Sequence, residues 1–181
     1  VHFQSHVDGT PLFIGPKEAM EIQRVLGSDI AMAFDECTPY PCTEHEARES
    51  LELTLNWART CLEQPRAPGQ QVFGIVQGSM FRHLREECVE QLVDMAFDGY
   101  ALGGLSVGEP DKAMFDVIDW CAPVLPETKP RYLMGVGTPP QIVEAIARGI
   151  DMFDCVLPTR LARNGTVFTR NGPLAVKAGR W

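Results

Sequence analysis

The chain has 181 residues, 45% hydrophobic, 22% charged and 8% aromatic, with 14 Pro, 16 Gly and a net charge of −8. That composition excludes disordered, fibrous and uniformly basic nucleic-acid-binding chains, and the length supports one domain with a real core. No stretch approaches the roughly 18 apolar residues of a membrane helix and no signal-peptide pattern opens the chain, so a cytoplasmic protein without a membrane partner is expected.

The opening reads as a hairpin, with Val1–His6 and Pro11–Ile14 joined at Asp8-Gly9. A helix is expected from Pro16 to Gly27, with Ala19, Ile22, Val25 and Leu26 at helical spacing. Asp29–Phe34 is a short, nearly all-apolar run, the pattern of a strand buried on both faces. Thr43-Glu44-His45-Glu46 forms a capping box that starts a helix running to about Glu63. After the loop Pro65–Gly69 comes a second strand, Gln71–Val76, ending at Gln77-Gly78. Ser79 caps a helix predicted over Met80–Phe97. A third strand, Tyr100–Leu102, ends at Gly103-Gly104, and a helix follows over about Asp111–Cys121. The fourth strand, Arg131–Met134, ends at Gly135-Val136-Gly137. Thr138-Pro139-Pro140 opens a helix that Gly149 closes, and Asp151–Val156 is the fifth strand. Finally Thr166–Thr169 and Leu174–Val176 flank Asn171-Gly172, a strong hairpin signal.

Five strands alternating with helices mean a parallel α/β architecture, in which ligands bind at the carboxyl ends of the strands. Five units cannot close an eight-stranded barrel. The pattern fits either an open doubly wound sheet or the last five units of a barrel. Each strand ends in a residue suited to a site: Asp35, Gln77, Gly104, Gly135 and Asp154. Asp154, inside the apolar run MFDCV, is the sharpest of these. A carboxylate there must be paired, hydrogen-bonded or functional, because burying it alone is costly. Two strand-end carboxylates around one mouth suit glycosyl chemistry.

The six cysteines lie at 37, 42, 61, 88, 121 and 155 without a C-x-x-C pair, which fits reduced, mostly buried thiols. His2, His6, His45 and His83 show no ligand spacing, so no metal site is expected within the chain. Charge is uneven. From Pro158 to Trp181 there are Arg160, Arg163, Arg170, Lys177 and Arg180 and no acid, so this tail carries +5 and the first 157 residues −13. Such asymmetry points to an anionic partner as readily as to a solvated basic end.

FDECTPYP (34–41), FGIVQGS (73–79), GYALGGLSVGE (99–109), RYLMGVG (131–137) and DMFDCVLPTR (151–160) resemble, in order, successive signatures of tRNA-guanine transglycosylase. The resemblance covers nearly the whole chain, from Val1 to about Val176. It implies a (β/α)8 TIM barrel, of which residues 1–181 would be a single partial domain: about the last five units plus a C-terminal hairpin. It also implies a pentosyltransferase of queuosine biosynthesis that exchanges the wobble guanine of a GUN-anticodon tRNA for a 7-deazaguanine base. Asp154 would be the nucleophile that attacks ribose C1′ and forms a covalent ester. Asp35 would accept hydrogen bonds from the base's N1–H and amine. Gln77 and the Gly104 N–H would bind its O6 edge, beside Gly135. Leu105 would offer its carbonyl to an aminomethyl substituent, with Glu109 supporting that peptide, and Met134 would pack on the base's flat face. Arg160 and Arg163 would reach the tRNA. Cys37 and Val107 match the bacterial subtype, whose incoming base is 7-aminomethyl-7-deazaguanine (preQ1).

Two family motifs are missing from the sequence: D-S-G-G-[FY]-Q, which carries the general acid/base aspartate, and C-x-C-x-x-C, which with a distant His holds structural zinc. The chain is therefore expected to be a fragment, with zinc a feature of the full-length family. The two open edges of a partial barrel invite a homodimer. A non-catalytic tRNA- or base-binding barrel fragment is the alternative function, and a nucleotide-binding open sheet using G-V-G-T-P-P as a phosphate nest is a third.

Overall fold

The computed structural model describes residues 1–178. Arg180, one of the tail's five basic residues, lies outside the described residues. A small antiparallel hairpin, β1 (His2–Gln4) and β2 (Pro11–Phe13), precedes α1 (Pro16–Leu26). The main body is β3 (Ile30–Met32), α2 (Glu44–Leu62), β4 (Gln71–Val76), α3 (Arg82–Asp94), β5 (Gly99–Leu102), α4 (Asp111–Cys121), β6 (Arg131–Leu133), α5 (Pro139–Ala147) and β7 (Met152–Phe153). It closes with α6 (Leu157–Arg163) and the hairpin β8 (Thr166–Thr169) and β9 (Gly172–Ala175). Among the described residues, no helix is long and apolar enough to cross a membrane.

The five central strands lie in sequence order, β3-β4-β5-β6-β7, and every neighbouring pair is parallel. A doubly wound sheet reverses its order once and so places helices on both faces. Here the order never reverses, so right-handed crossovers put the connecting helices on one side. Helices α1 to α5 pack each against the next in a single layer. The open doubly wound alternative is thereby excluded, and the sheet is a half-barrel. The TIM barrel that the resemblance implies accounts for this winding.

Side chains alternate between the two faces of the sheet, and in β4 and β5 both faces are buried. Ala31, Val72, Val76, Leu102 and Leu133 join Leu51, Leu84, Leu92, Val117 and Ile118 of the helices in one core. On the opposite face, register aligns Ile75, Ala101, Tyr132 and Met152 in a row across four strands. Two residues further along the same strands come Gln77, Gly103, Met134 and Asp154. The sheet's period therefore delivers these four to one concave mouth.

Several elements differ from the sequence expectation: β1, β3 and β6 are shorter than read, β9 starts earlier, at Gly172, and three further differences bear on the site. Ser79 does not cap α3. Its backbone is left-handed (φ 49°), its hydroxyl accepts from the Cys42 thiol, and Phe81 takes the cap position instead. The fifth strand is two residues long rather than Asp151–Val156, because its only neighbour among the described residues, β6, ends at Leu133 opposite Phe153. Residues 157–163 form a short helix that the apolar pattern did not announce.

Candidate active site

A cleft of about 400 Å³ opens at the carboxyl ends of the strands, lined by Asp35, Cys37, Gln77, Gly103, Gly104, Leu105, Val107, Met134, Gly135 and Asp154, with Ser106. Of the site residues expected from the sequence, only Glu109, Arg160 and Arg163 stand outside this lining. A larger groove between α5 and the C-terminal hairpin has mainly apolar walls and none of these groups.

Asp35 follows β3 and is half-buried. Burial raises its carboxyl above the ordinary value, and the Gln77 Nε2–H that it accepts at 2.6 Å opposes the shift. Gln77, 1% exposed, spans the floor of the cleft, and its Oε1 is buried without a hydrogen-bond partner among the described residues. The glycine pair after β5 has a definite cause. A Cβ on Gly103 would sit 2.7 Å from Gln77 Nε2, and one on Gly104 would sit 2.5 Å from Oε1. Gly104 is also left-handed, at φ 63°. The Gln77 amide thus lies flat against two glycines, held toward Asp35.

Asp154 lies just beyond β7 and is exposed rather than buried within the strand, because β7 ends at Phe153. It is nevertheless fixed. Tyr132 Oη donates to Oδ1 at 2.7 Å and the Gly135 N–H donates to the same oxygen at 2.9 Å. Oδ2 accepts no hydrogen bond among the described residues, and Asp154 lines the cleft. Burial, then the hydrogen bond to Asp154 and its charge, keep the Tyr132 phenol far above its ordinary value, so it remains a donor. Gly135, left-handed at φ 75°, gives the turn that aims this N–H.

On the opposite rim, the Glu109 carboxylate accepts the N–H groups of Ser106 and, at 2.9 Å, Val107. Because peptide C=O and N–H point in opposite directions across a trans bond, fixing the Ser106 N–H on Glu109 turns the Leu105 carbonyl away from Glu109. Val107 is 40% exposed beside it. Cys37 is an exposed residue. Desolvation on its cleft side, followed by the charge of Asp35, raises its thiol, while the charge of Arg85 and the Gly104 backbone N–H oppose the shift. It stays protonated at neutral pH. Met134 and Asp35 stand between the cleft and a mainly apolar hollow whose wall includes Ile14, Ile22, Met32, Phe34 and Ile75.

Arg160 and Arg163 are exposed on α6, which begins three residues after Asp154, and neither has an acidic partner among the described residues. The six cysteines are free, with Cys61, Cys88 and Cys121 buried. Among the described residues no group of three or more His, Cys, Asp or Glu side chains could hold a metal, so these residues do not fit a zinc site.

Sequence reasoning missed two residues behind this cleft. Tyr132 was legible as the same-face neighbour of Met134, two positions earlier on a strand. Arg85 was legible as a cation on the apolar face of its helix, at helical spacing from Cys88, Val89 and Leu92. It is 0% exposed.

The whole chain, residues 1–181, matches the family model described as queuine tRNA-ribosyltransferase. A queuine tRNA-ribosyltransferase of Pelotomaculum thermopropionicum is 58% identical over 98% of this chain and 48% of its own length. One from Desulforamulus reducens is 55% identical over the same shares, and one from Francisella tularensis subsp. novicida is 51% identical over all of this chain and 49% of its own. The chain spans about half the length of these curated relatives. A match across every residue, and identities far above what the shared winding of a half-barrel requires, lead to one conclusion: the chain belongs to the queuine tRNA-ribosyltransferase family.

Proposed function

We propose that this chain carries the base pocket and nucleophile of a tRNA base-exchange enzyme that replaces the wobble guanine of a GUN anticodon with preQ1. One observation carries the reading. A half-buried carboxylate, a buried amide and a backbone N–H meet in one cleft with a second, anchored carboxylate whose Oδ2 is free. Asp35 matches the paired donors of guanine's N1–H and amine, while Gln77 and the Gly104 N–H suit O6. The Leu105 carbonyl, turned by Glu109, suits an aminomethyl group, and Met134 offers a flat apolar contact.

In the reaction, Asp154 Oδ2 attacks C1′ as the glycosidic bond breaks. Guanine leaves with the electron pair and takes up a proton. The nitrogen of the incoming base then attacks C1′, loses its proton and displaces the Asp154 carboxylate, so two inversions give net retention. Tyr132 and the Gly135 N–H hold Oδ1 so that one oxygen does the chemistry. The protons need an acid/base group for which this chain has no D-S-G-G motif. Arg160 and Arg163 would meet phosphates near the flipped nucleotide, in the cytoplasm where tRNA is modified. A homodimer covering the open sheet edges belongs to the same proposal.

Exchange of labelled guanine into unmodified GUN-anticodon tRNA by the full-length protein tests the reading. Incorporation that depends on Asp154 is expected. Guanine and tRNA binding without exchange would favour a non-catalytic binding module.

A further inference from the structure

Arg85, near the start of α3, is completely buried and has no carboxylate as a hydrogen-bond partner among the described residues. Its guanidinium is satisfied by main-chain carbonyls alone. Nε donates to Ser79 O at 2.8 Å, Nη1 to Val76 O and Gly103 O at 2.8 Å each, and Nη2 reaches Gly104 O at 3.5 Å. A buried cation carries a large desolvation penalty, and apolar residues of similar volume often replace buried charges without loss of stability. Holding two strand ends together does not by itself call for a charge.

The carbonyls it grips explain the charge. Gly103 O belongs to the same peptide unit as the Gly104 N–H, and the peptide is trans. Pulling that carbonyl back onto Arg85 drives the Gly104 N–H in the opposite direction, toward Cys37 and the cleft. Val76 O shares a peptide with the Gln77 N–H, which donates to Cys88 Sγ at 3.3 Å, so Arg85 also anchors the strand end from which the Gln77 side chain projects. A charged donor on a carbonyl also polarises the amide and strengthens its N–H as a donor.

We infer that Arg85 is a positioning residue for base recognition, acting through the Gly103–Gly104 peptide to aim and strengthen the N–H that reads a purine carbonyl. This rests on the reading of the cleft as a guanine pocket. The role is specific to the oxygen edge: Arg85 selects a 6-oxo purine over one with a poorer acceptor there. Glu109 does the complementary work on the next peptide but one, fixing an N–H so that a carbonyl faces outward.

The test compares guanine with 6-thioguanine, which keeps the N1–H and amine but has sulfur, a weaker acceptor, in place of O6. Affinities are measured by calorimetry for the full-length protein and its Arg85→Met and Arg85→Lys variants. Arg85→Met is expected to weaken guanine by about tenfold or more and 6-thioguanine clearly less, narrowing the preference at least about threefold. Arg85→Lys should restore part of both. Equal loss of the two bases would mean a merely structural residue and would overturn the inference. If neither variant folds, wild type still decides. With arginine nitrogens labelled, the Arg85 Nη resonances should move on guanine binding and move less with 6-thioguanine. Guanine binding that leaves them unmoved overturns the proposal. Failure of wild type to bind guanine at all instead removes the pocket reading on which it rests.

Discussion

Asp35→Asn should weaken base binding while making the protein more stable at neutral pH. The substitution keeps the shape of the side chain and an oxygen for Gln77 Nε2, which in the native protein lies 2.6 Å from Oδ2. What it removes is the charge, and it turns one acceptor into an NH₂ facing the base's own donors. A hydrogen bond to a charged group contributes about 1.5–3 kcal/mol, and losing one of the pair lowers guanine affinity by roughly 10- to 150-fold. Affinity for tRNA should change little, since Asp35 is assigned to the base alone. The stability effect has the opposite sign because burial raises the Asp35 carboxyl in the folded state. A group raised on folding contributes stability that is complete below its unfolded value and is lost as pH climbs through the raised folded value. Above that window wild type bears the cost of a desolvated anion, and Asn does not. The expected gain falls within the about 0.5–2 kcal/mol common for single stabilising substitutions. Calorimetry with guanine, tRNA filter binding and urea melts across the acid range provide the three readings. Unchanged guanine affinity would sink the assignment to the base. Asn proving less stable at neutral pH, or a stability gap independent of pH, would refute the burial argument.

Asp154→Asn should abolish covalent trapping of RNA, and a fall of less than about tenfold in exchange rate is too small for a nucleophile. The same variant should bring the Tyr132 phenol down toward its ordinary value, since two of the three causes that raise it come from Asp154; a tyrosinate titration reads this directly. Gly104→Ala would place a Cβ 2.5 Å from Gln77 Oε1 at a left-handed position, displacing the Gln77 amide. Expect guanine binding to fall and stability to drop by about 1–3 kcal/mol; wild-type guanine affinity would contradict the floor geometry. For Arg160→Ala with Arg163→Ala, tRNA binding should weaken and its salt dependence flatten by roughly 0.7–0.9 in log–log slope for each phosphate no longer neutralised. Parallel lines for wild type and variant would place both arginines in solvent only.

The alternation of strands and helices was legible in the sequence because each element carries its own signal. The Thr43–Glu46 box caps α2 as read, with Glu46 accepting the Thr43 N–H at 2.7 Å. The strand-end positions of Gln77, Gly104 and Asp154 were legible too, since a parallel sheet gathers whatever follows its strands. Local signals failed where long-range pairing sets the outcome. The length of β7 depends on where β6 ends, about 20 residues earlier in the chain, so the apolar run through Val156 overstated the strand and made Asp154 look buried. The choice between open sheet and half-barrel likewise belongs to strand order, which no segment encodes alone. Arg85 shows the limit most clearly. Its helical spacing marks it as a core position, but its role depends on carbonyls at 76, 79, 103 and 104, contributed by separate segments. Periodicity tells which face of an element is buried; only the packed structure tells which distant backbone groups that face must satisfy.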